Sequence, residues 1–257
     1  MKFITYESAD RIGFITLNRP EKRNSLSHEL VGELKECFRN AEADAAVKVI
    51  VLKANGEAFC AGADLAYLQD LQKFSYQQNL DDSNHLKELF LTIYTLKKVV
   101  IAQVQGHALA GGCGLATICD FVYSVPEAKF GYTEVRIGFI PAIVMVFLLR
   151  KIGEARAKQL LLSGDLISSA EALQLGLVNK IVPKDQLSGE VLRLATQLVE
   201  SNSTSSMTMT KQMISQVQSM NLEDALTFAS EMNAKARATD DCKKGIASFL
   251  NKEKLTW

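Results

Sequence analysis

Residues 106–120 read GHALAGGCGLATICD, a glycine-rich turn that leads into a run of small residues ending at Cys119 and Asp120. Glycines at this density let the backbone approach another group closely, because no Cβ atom stands in the way. A helix that begins in such a turn directs unpaired N–H groups and a partial positive charge at whatever lies in front of it. The turn therefore predicts a place that holds a phosphate, a carboxylate or a thioester oxygen.

Several familiar uses of a glycine turn do not fit these residues. The dinucleotide fingerprint G-x-G-x-x-G is absent from the turn, and no Lys-Ser or Lys-Thr pair follows the glycines as it does in phosphate-binding loops. His107, Cys113 and Cys119 do not have the spacing of zinc ligands, so we expect no metal. The chain has no G-x-S-x-G motif, which disfavours a serine hydrolase.

A second turn of the same design lies at residues 57–65, with the sequence EAFCAGADL. Each turn consists of the end of a predicted strand, a loop of small residues and the start of a predicted helix. If Ala63 and Gly111 direct their N–H groups at one point, the two turns together form an oxyanion hole. Loss of one well-placed donor from such a site typically costs about 2.7–4 kcal/mol of transition-state stabilisation.

The rest of the chain predicts an α/β fold, because strand-like runs alternate with helical periodicity. The strand-like runs are FITYES (3–8), GFITLN (13–18), VKVIVLKA (47–54), VVIAQVQG (99–106) and FVYSVP (121–126). Ser27 is a candidate N-cap for the first helix, which carries an apolar face. Residues 65–84 are polar and irregular, which leaves two interpretations open: a surface loop with a short helix, or a mobile cover over a pocket.

Strand signals stop after LVNKIV (177–182), and from about Gln186 the chain reads as successive helices. We therefore divide it into an α/β core, residues 1–190, and a C-terminal helical region, residues 191–257. A helical tail with several apolar faces often docks onto another subunit as well as onto its own core. We expect a homo-oligomer.

Composition excludes several classes of function. The 257 residues carry 29 basic and 29 acidic side chains, so we expect no general surface for nucleic acid. The longest apolar run, residues 137–149, is interrupted by Pro141 and is too short to cross a bilayer, which takes about 20 residues. The N-terminus has no apolar stretch typical of a secretory signal. Five scattered cysteines favour reduced thiols in the core of a cytoplasmic protein.

Three motifs, taken in this order and spacing, resemble the crotonase superfamily of enoyl-CoA hydratases and isomerases. They are AFCAGADL (58–65), GHALAGGCGLATICD (106–120) and KFGYTEVRIGFIP (129–141). The resemblance covers nearly the whole chain, from ITLNRPEKRNSLS (15–27) to GIASFLNKEKLTW (245–257). It implies a spiral of ββα units with a C-terminal helical trimerisation region, assembled as a trimer or as a hexamer made from two trimers.

The resemblance also implies the chemistry of the site. The carbonyl of an acyl-CoA thioester would lie between the N–H groups of Ala63 and Gly111, and Glu134 would transfer a proton. CoA would be part of the substrate, so no separate cofactor is expected. The substrate-binding residues that the resemblance implies are Ala61, Asp64, Gly112, Gly114, Tyr132, Lys22, Arg23 and Lys252, with Lys254 as an alternative to Lys252. We expect Asp64 and Tyr132 to support or line the pocket rather than to transfer protons.

One position departs from the family pattern. Hydratases of this family carry a second glutamate in the glycine turn, as in GGCELA, where this chain has Gly114. Three interpretations remain open. Glu134 alone could hydrate a branched, methylglutaconyl-like enoyl-CoA, as the similarity of TEVRIGFIPAIVMVFLL (133–149) to a bacterial subgroup favours. It could instead isomerise a 3-enoyl-CoA to a 2-enoyl-CoA, or the protein could bind acyl-CoA without turnover. We expect Asp120 to brace the backbone rather than replace the missing acid.

Overall fold

Nine strands form two sheets. The computed structural model describes residues 1–257, apart from the side chain of Leu65. In chain order the strands are β1 (Ile4–Ala9), β2 (Ile12–Leu17), β3 (Val49–Ala54), β4 (Val99–Val104), β5 (Ala108–Leu109), β6 (Phe121–Ser124), β7 (Lys129–Gly131), β8 (Ile167–Ser168) and β9 (Lys180–Ile181). The larger sheet has the order β1-β2-β3-β4-β6-β9, and the smaller has the order β5-β7-β8.

Ten helices accompany the strands. They are α1 (His28–Ala43), α2 (Leu65–Leu71), α3 (Tyr76–Thr95), α4 (Gly111–Thr117), α5 (Ala142–Ser163), α6 (Ser169–Gln174), α7 (Leu187–Ser201), α8 (Thr204–Val217), α9 (Leu222–Ala238) and α10 (Asp240–Asn251). Within α5 the helix breaks at Gly153, whose φ of 76° a glycine adopts without steric cost.

The larger sheet begins as a hairpin and continues as parallel strands. Asp10 and Arg11 join β1 to β2 through two residues with positive φ, as a tight hairpin turn requires. From β2 onward each neighbouring pair is parallel. Val49, Ile50, Val51 and Leu52 of β3 are all fully buried, which explains why this strand reads as a continuous apolar run. All five strands expected from the sequence are confirmed.

The chain repeats one path through the two sheets. Twice, a strand of the larger sheet leads to a short strand of the smaller sheet and then to a helix. β4 leads to β5 and α4, and β6 leads to β7 and α5. In earlier turns of the spiral the short strand is reduced to single bridges, which pair Leu26 with Ala63 and Cys60 with Ala108. This arrangement confirms the predicted α/β spiral of ββα units and brings successive strand-to-helix turns side by side.

The helices around the sheet follow local sequence signals. Ser27 caps α1 by accepting a hydrogen bond from the Leu30 N–H, as predicted, and the apolar face of α1 is buried. Residues 65–84 are more helical than expected, because α3 already begins at Tyr76. Its start is a capping box in which Ser75 and Gln78 each bond the other's backbone N–H.

The C-terminal region differs from the predicted division at residues 190 and 191. This boundary falls inside α7, whose apolar residues are buried against the sheet, so α7 belongs to the core. Burial changes after Ser201 instead. In α8 the only residue that is buried is Lys211, and in α9 and α10 none is, within the described structure. Among the described residues, no helix combines the length and apolar character needed to cross a membrane.

Candidate functional site

The two glycine turns lie against each other. The Leu109 N–H donates to the Cys60 carbonyl at 2.9 Å, which joins the second turn to the first. A Cβ atom on Gly62 would lie 3.7 Å from the Gly111 nitrogen and 2.8 Å from the Ala110 Cβ. With a φ of +90°, Gly62 is also in a conformation that other residues rarely adopt. A glycine at 62 therefore lets the Ala63 segment pass directly in front of the start of α4.

The backbone pattern around Ala63 determines the direction of its N–H group. Leu26 donates its N–H to the Gly62 carbonyl at 2.7 Å, and Asp64 donates its N–H to the Leu26 carbonyl at 2.9 Å. In a parallel bridge the residue between two such bonds points its own N–H away from the partner. Ala63 is exposed, and Gly111, the first residue of α4, is half-buried. Two accessible amides thus occur on adjoining turns.

Beyond Gly111, the packing around α4 leaves no room for a side chain at either Gly112 or Gly114. A Cβ atom on Gly112 would lie 2.3 Å from the Cys60 carbonyl oxygen. A Cβ atom on Gly114 would lie 2.2 Å from Val144 Cγ1 and 3.0 Å from Phe90 Cε1. Both glycines are buried, so their contribution to the site is close packing rather than an exposed surface. The space next to position 114 is filled by Val144 and Phe90, two residues that sequence reasoning missed.

Glu134 reaches the site by way of the smaller sheet. The Ala110 N–H donates to the Gly131 carbonyl at 2.7 Å, so the end of β7 lies against the turn that carries Gly111. Three residues later, Glu134 opens a short 3₁₀ turn. Its Oε2 atom is buried and has no hydrogen-bond partner among the described residues. Burial raises the pKa of this carboxyl above its ordinary value.

An ion pair does not explain Glu134. Arg136, its nearest basic neighbour in sequence, pairs with Asp165 at 2.5 Å on the exposed side of the turn. A buried carboxyl oxygen without a partner is costly unless something else satisfies it, and such groups concentrate at functional sites. Two backbone amides of this kind can stabilise negative charge on a carbonyl oxygen. A carboxyl group beside them can move a proton.

The Asp64 side chain is held by contacts within the protein. The Asp64 carboxylate pairs with Arg19 at 2.8 Å and accepts the backbone N–H groups of Ala66 and Tyr67, which caps α2. Burial alone would raise the pKa of Asp64, but these amides and the guanidinium outweigh it and hold the pKa below its ordinary value.

Tyr132 is fully buried, and its hydroxyl lies 3.0 Å from Thr117 Oγ1 at the end of α4. Burial raises its pKa well above the ordinary value, so the hydroxyl remains protonated. The structure therefore corrects the expectation of direct substrate contact by Tyr132, because no part of this side chain is accessible. Asp120 braces the backbone as expected: its Oδ2 accepts the Val100 N–H at 2.7 Å and the Lys211 ammonium at 2.6 Å.

The predicted CoA contacts fall into two separate places. The Ala61 N–H donates to the Arg23 carbonyl at 3.0 Å, which holds exposed Lys22 and Arg23 beside the first turn. Lys252 instead caps the end of α10 and is exposed, as is Lys254. The chain after Lys252 folds back, since the Trp257 N–H donates to the carbonyl of Glu200 in α7. Within one chain these contacts do not bring Lys252 to Lys22 and Arg23.

Comparisons with known proteins agree with this geometry. A sequence model of the family described as enoyl-CoA hydratase/isomerase matches residues 7–257. A protein of Thermus thermophilus named "Putative enoyl-CoA hydratase" is 43% identical over 241 residues, which cover 94% of this chain and 95% of that protein. A crotonyl-CoA hydratase of Syntrophomonas wolfei is 32% identical over 256 residues, covering 99% and 97%.

A solved structure supports the same assignment. The crystal structure of an enoyl-CoA hydratase from Mycobacterium smegmatis superposes with a TM-score of 0.93 and 28% identity, covering 99% of this chain and 98% of that one. The family match extends over both glycine turns, Glu134 and the C-terminal helices. This chain therefore belongs to the enoyl-CoA hydratase/isomerase family and is an enzyme of the crotonase superfamily.

Proposed function

We propose that the protein catalyses the reversible hydration of a 2-enoyl-CoA, with Glu134 as its catalytic acid and base. The thioester carbonyl oxygen accepts hydrogen bonds from the N–H groups of Ala63 and Gly111. The observation that carries this proposal is the buried, unpartnered Oε2 of Glu134 on the segment that follows the Gly131–Ala110 hydrogen bond. The names of the relatives, which are hydratases, favour hydration over isomerisation.

The proposed reaction uses one carboxyl group twice. The Glu134 carboxylate takes a proton from water while the water oxygen bonds to carbon 3 of the alkene. The alkene electron pair moves toward the thioester, and negative charge collects on the carbonyl oxygen between the two amides. The protonated carboxyl then returns its proton to carbon 2, so the product has gained one water and the enzyme is unchanged. Because one group serves both steps, water adds to one face of the alkene.

The environment of Glu134 suits this double role. Burial raises its pKa, which makes the carboxylate a stronger base toward the attacking water. A second acid at position 114 is excluded in this packing, since Val144 and Phe90 occupy the space that its side chain would need. The division of labour between two carboxyls is therefore replaced by one carboxyl that acts in sequence.

For the acyl group we propose a branched chain of the methylglutaconyl type. The support is the similarity of residues 133–149 to that bacterial subgroup, together with exposed apolar side chains next to Glu134, namely Ile137, Phe139 and Ile140. Arg136 is already paired with Asp165, so it is not free to receive the terminal carboxylate of such a chain. Assays with both charged and uncharged branched acyl-CoA substrates test whether the site accepts a terminal carboxylate.

For the rest of the substrate we propose that Lys22, Arg23 and the backbone at Ala61 contact CoA, and that Lys252 reaches the nucleotide of a neighbouring subunit. A homo-oligomer, either a trimer or a hexamer, is consistent with the burial pattern of the C-terminal helices. Their large apolar side chains are exposed in the single chain: Leu222, Leu226, Ile246, Phe249 and Leu250. Exposed apolar surface of this extent is typical of a face that packs against another chain.

The substitution Glu134→Gln tests the catalytic role. We expect the variant to bind CoA normally and to lose about two orders of magnitude or more in kcat, the usual contribution of a positioned acid–base group. Glu127→Gln changes an exposed glutamate seven residues earlier and serves as the matched control, with unchanged kcat. Equal turnover by the two variants would refute the assignment.

Isotope labelling separates hydration from isomerisation. Crotonyl-, 3-methylcrotonyl-, 3-methylglutaconyl- and 3-hexenoyl-CoA are offered in ¹⁸O-labelled water. We expect ¹⁸O in the product of a 2-enoyl substrate and the highest kcat/KM with a branched one. Migration of the alkene in 3-hexenoyl-CoA without label, as the only reaction, would establish the isomerase instead. Tight CoA binding without reaction of any thioester would refute both.

A further inference from the structure

The helix that follows Ala63 is weakly anchored by its own side chains. α2 begins at Leu65, two residues after the proposed donor, and is only seven residues long. Apart from Leu65, whose side chain is not described, its residues are exposed or half-buried. Segments with little buried apolar surface open at low free-energy cost. Specific polar contacts therefore have a large share in fixing the position of α2.

One such contact joins α2 to two other helices. The Tyr67 hydroxyl donates to Asp82 Oδ1 on α3, and the same carboxylate oxygen lies 3.3 Å from Nδ1 of His28, the first residue of α1. Burial and the neighbouring carboxylate raise the pKa of Tyr67, so the hydroxyl stays a donor. A single carboxylate oxygen thus links the starts of α1 and α2 through the middle of α3.

A second set of contacts holds the His28 ring in place. His28 stacks on His85 of α3, with ring centroids 4.0 Å apart and planes 17° from parallel. His85 Nε2 lies 3.0 Å from the His28 carbonyl oxygen, and His85 Nδ1 lies 3.1 Å from Lys35 Nζ. Because an ammonium only donates, Nδ1 accepts and Nε2–H donates, which selects one neutral tautomer. Lys35 in turn pairs with Glu88 at 2.5 Å.

The link from Tyr67 back to the donor is short and stiff. The Asp64 carboxylate accepts the Tyr67 N–H at 3.3 Å and the Ala66 N–H at 2.9 Å, and Asp64 directly follows Ala63. Asp64 is itself tied to Arg19 and to the Leu26 carbonyl. The Tyr67 N–H bond to Asp64 therefore connects α2 to the residue next to the Ala63 amide, in addition to the Leu26 bonds that set the direction of that amide.

We propose that Tyr67, Asp82 and His28 form a latch that positions α2 and, through Asp64, the N–H group of Ala63 for the reaction. This inference rests on the proposed function of that amide. The three are positioning residues: they act through Ala63 and do not touch the reacting atoms. The latch makes the proposed oxyanion hole depend on a hydrogen bond that lies outside it.

The substitution Tyr67→Phe keeps the ring and removes only the hydroxyl. We expect kcat to fall about tenfold, since a misplacement of about 1 Å can cost about 10²-fold and a smaller shift costs less. KM should change less than about twofold and thermal stability only slightly. Tyr76→Phe is the matched control, because Tyr76 is 82% exposed at the start of α3, and it should behave as wild type.

Two variants of Asp82 sharpen the assignment. Asp82→Asn retains an oxygen that can accept from Tyr67 and should keep most of the activity. Asp82→Ala removes the acceptor and should match Tyr67→Phe. The double variant Tyr67→Phe/Asp82→Ala should lose no more than either single variant, because both break the same link. Additive losses would show that the two residues act separately and would overturn the latch.

Two readouts keep this proposal separable from the proposed function. Hydrogen exchange of the amides in residues 66–71 should be faster in Tyr67→Phe and in Asp82→Ala, and unchanged in Tyr76→Phe; unchanged exchange in all variants overturns the latch. Acetoacetyl-CoA provides the second readout, because its enolate, which absorbs in the near ultraviolet, places negative charge where the amides converge. Faster exchange without loss of bound enolate or of kcat overturns the positioning role. If the wild type neither hydrates enoyl-CoA nor favours the enolate, the proposed function fails, while hydrogen exchange still decides whether the latch exists.

Discussion

The two helices that begin at or just after the proposed amide donors are held in opposite ways. In α4 every residue after Gly111 is buried, and the Lys151 ammonium donates to the carbonyls of Thr117 and Cys119 where the helix ends. In α2 the described side chains are exposed or half-buried, and polar contacts of Tyr67 and Asp64 fix the helix. One donor is thus built into the core and the other is attached to its surface.

The difference between α4 and α2 corresponds to two requirements of a catalytic site. Donors that are fixed before the reaction stabilise developing charge without reorganisation, which α4 provides through packing. Entry and release of a substrate need a part of the site that can move at low cost in free energy. We expect α2 to be that part, because its described side chains are exposed or half-buried. The comparison predicts that a substitution inside the α4 packing has a large effect on stability, whereas a substitution at the cap of α2 has a small one.

The largest effect is expected from a carboxylate placed inside the α4 packing. Gly114→Glu should lower the free energy of unfolding by about 4 kcal/mol or more, because it combines overpacking against Val144 with burial of a charge. Chemical denaturation measures the change. It should not add hydration activity, although it restores the residue that the family pattern places there.

Two control variants test whether close packing at position 114 causes the loss of stability. Gly189→Glu introduces the same side chain in α7, where a Cβ atom meets nothing within 4 Å, and should leave stability nearly unchanged. Gly114→Glu/Val144→Ala removes the Val144 Cγ1 contact at 2.2 Å but keeps the Cβ of residue 144 at 2.9 Å and Phe90 at 3.0 Å, so we expect it to recover part of the stability lost in Gly114→Glu. A double variant no more stable than the single one would show that the Val144 Cγ1 contact is not the main source of the destabilisation.

A smaller loss is expected when the donor on α4 is removed. Gly111→Pro deletes the N–H at the first residue of the helix; because Ala110 before it has φ 51° and ψ −128°, outside the region that a residue before proline favours, only samples shown to be folded are compared. The expected loss is about 10²–10³-fold in kcat, or about 2.7–4 kcal/mol. Gly111→Ala keeps the N–H and meets only the flexible Cδ1 of Leu26 at 3.1 Å, so it should remain active. Similar activity in folded samples of both variants would contradict the role of this amide.

The smallest effect is expected at the cap of α2. Asp64→Asn keeps an acceptor for the Ala66 N–H but loses the charge that pairs with Arg19, which should cost about 1–2 kcal/mol of unfolding free energy. Because the folded pKa of Asp64 lies below its unfolded value of about 3.9, its contribution is fully present above that pH. It is lost as the pH falls through the folded pKa. The stability difference from wild type should therefore be constant near neutrality and shrink on acidification; a pH-independent difference would argue against the ion pair.

Much of the fold is predictable from local sequence patterns. Runs of buried residues identified the long strands, and Ser27 identified the start of α1, because burial and capping each leave a signal within a few residues. The strands β5, β7 and β8 were missed, since two or three residues that pair through the backbone leave almost no pattern, whereas β9 falls within LVNKIV, the last strand signal of the chain. The start of α3 was missed although Ser75 and Gln78 form a capping box, because the polar residues around them conceal the helical period.

The site was predictable to a different degree. The two glycine turns pointed to Ala63 and Gly111, and the family resemblance pointed to Glu134; the structure brings these three positions onto adjoining segments. The reason for Gly114 was not predictable, because Val144 lies thirty residues further along in an ordinary apolar run. The core position of Tyr132 escaped notice for the same reason: only tertiary packing distinguishes a buried tyrosine from one that lines a pocket.

The close fit of Val144 against Gly114 also constrains how this protein can change over generations. If Gly114→Glu has the cost predicted above, a route to a two-acid active site that alters position 114 first passes through an unstable intermediate. A route that first opens the space occupied by Val144 and Phe90 avoids that intermediate. Packing around one glycine thus bears on the order in which substitutions are tolerated.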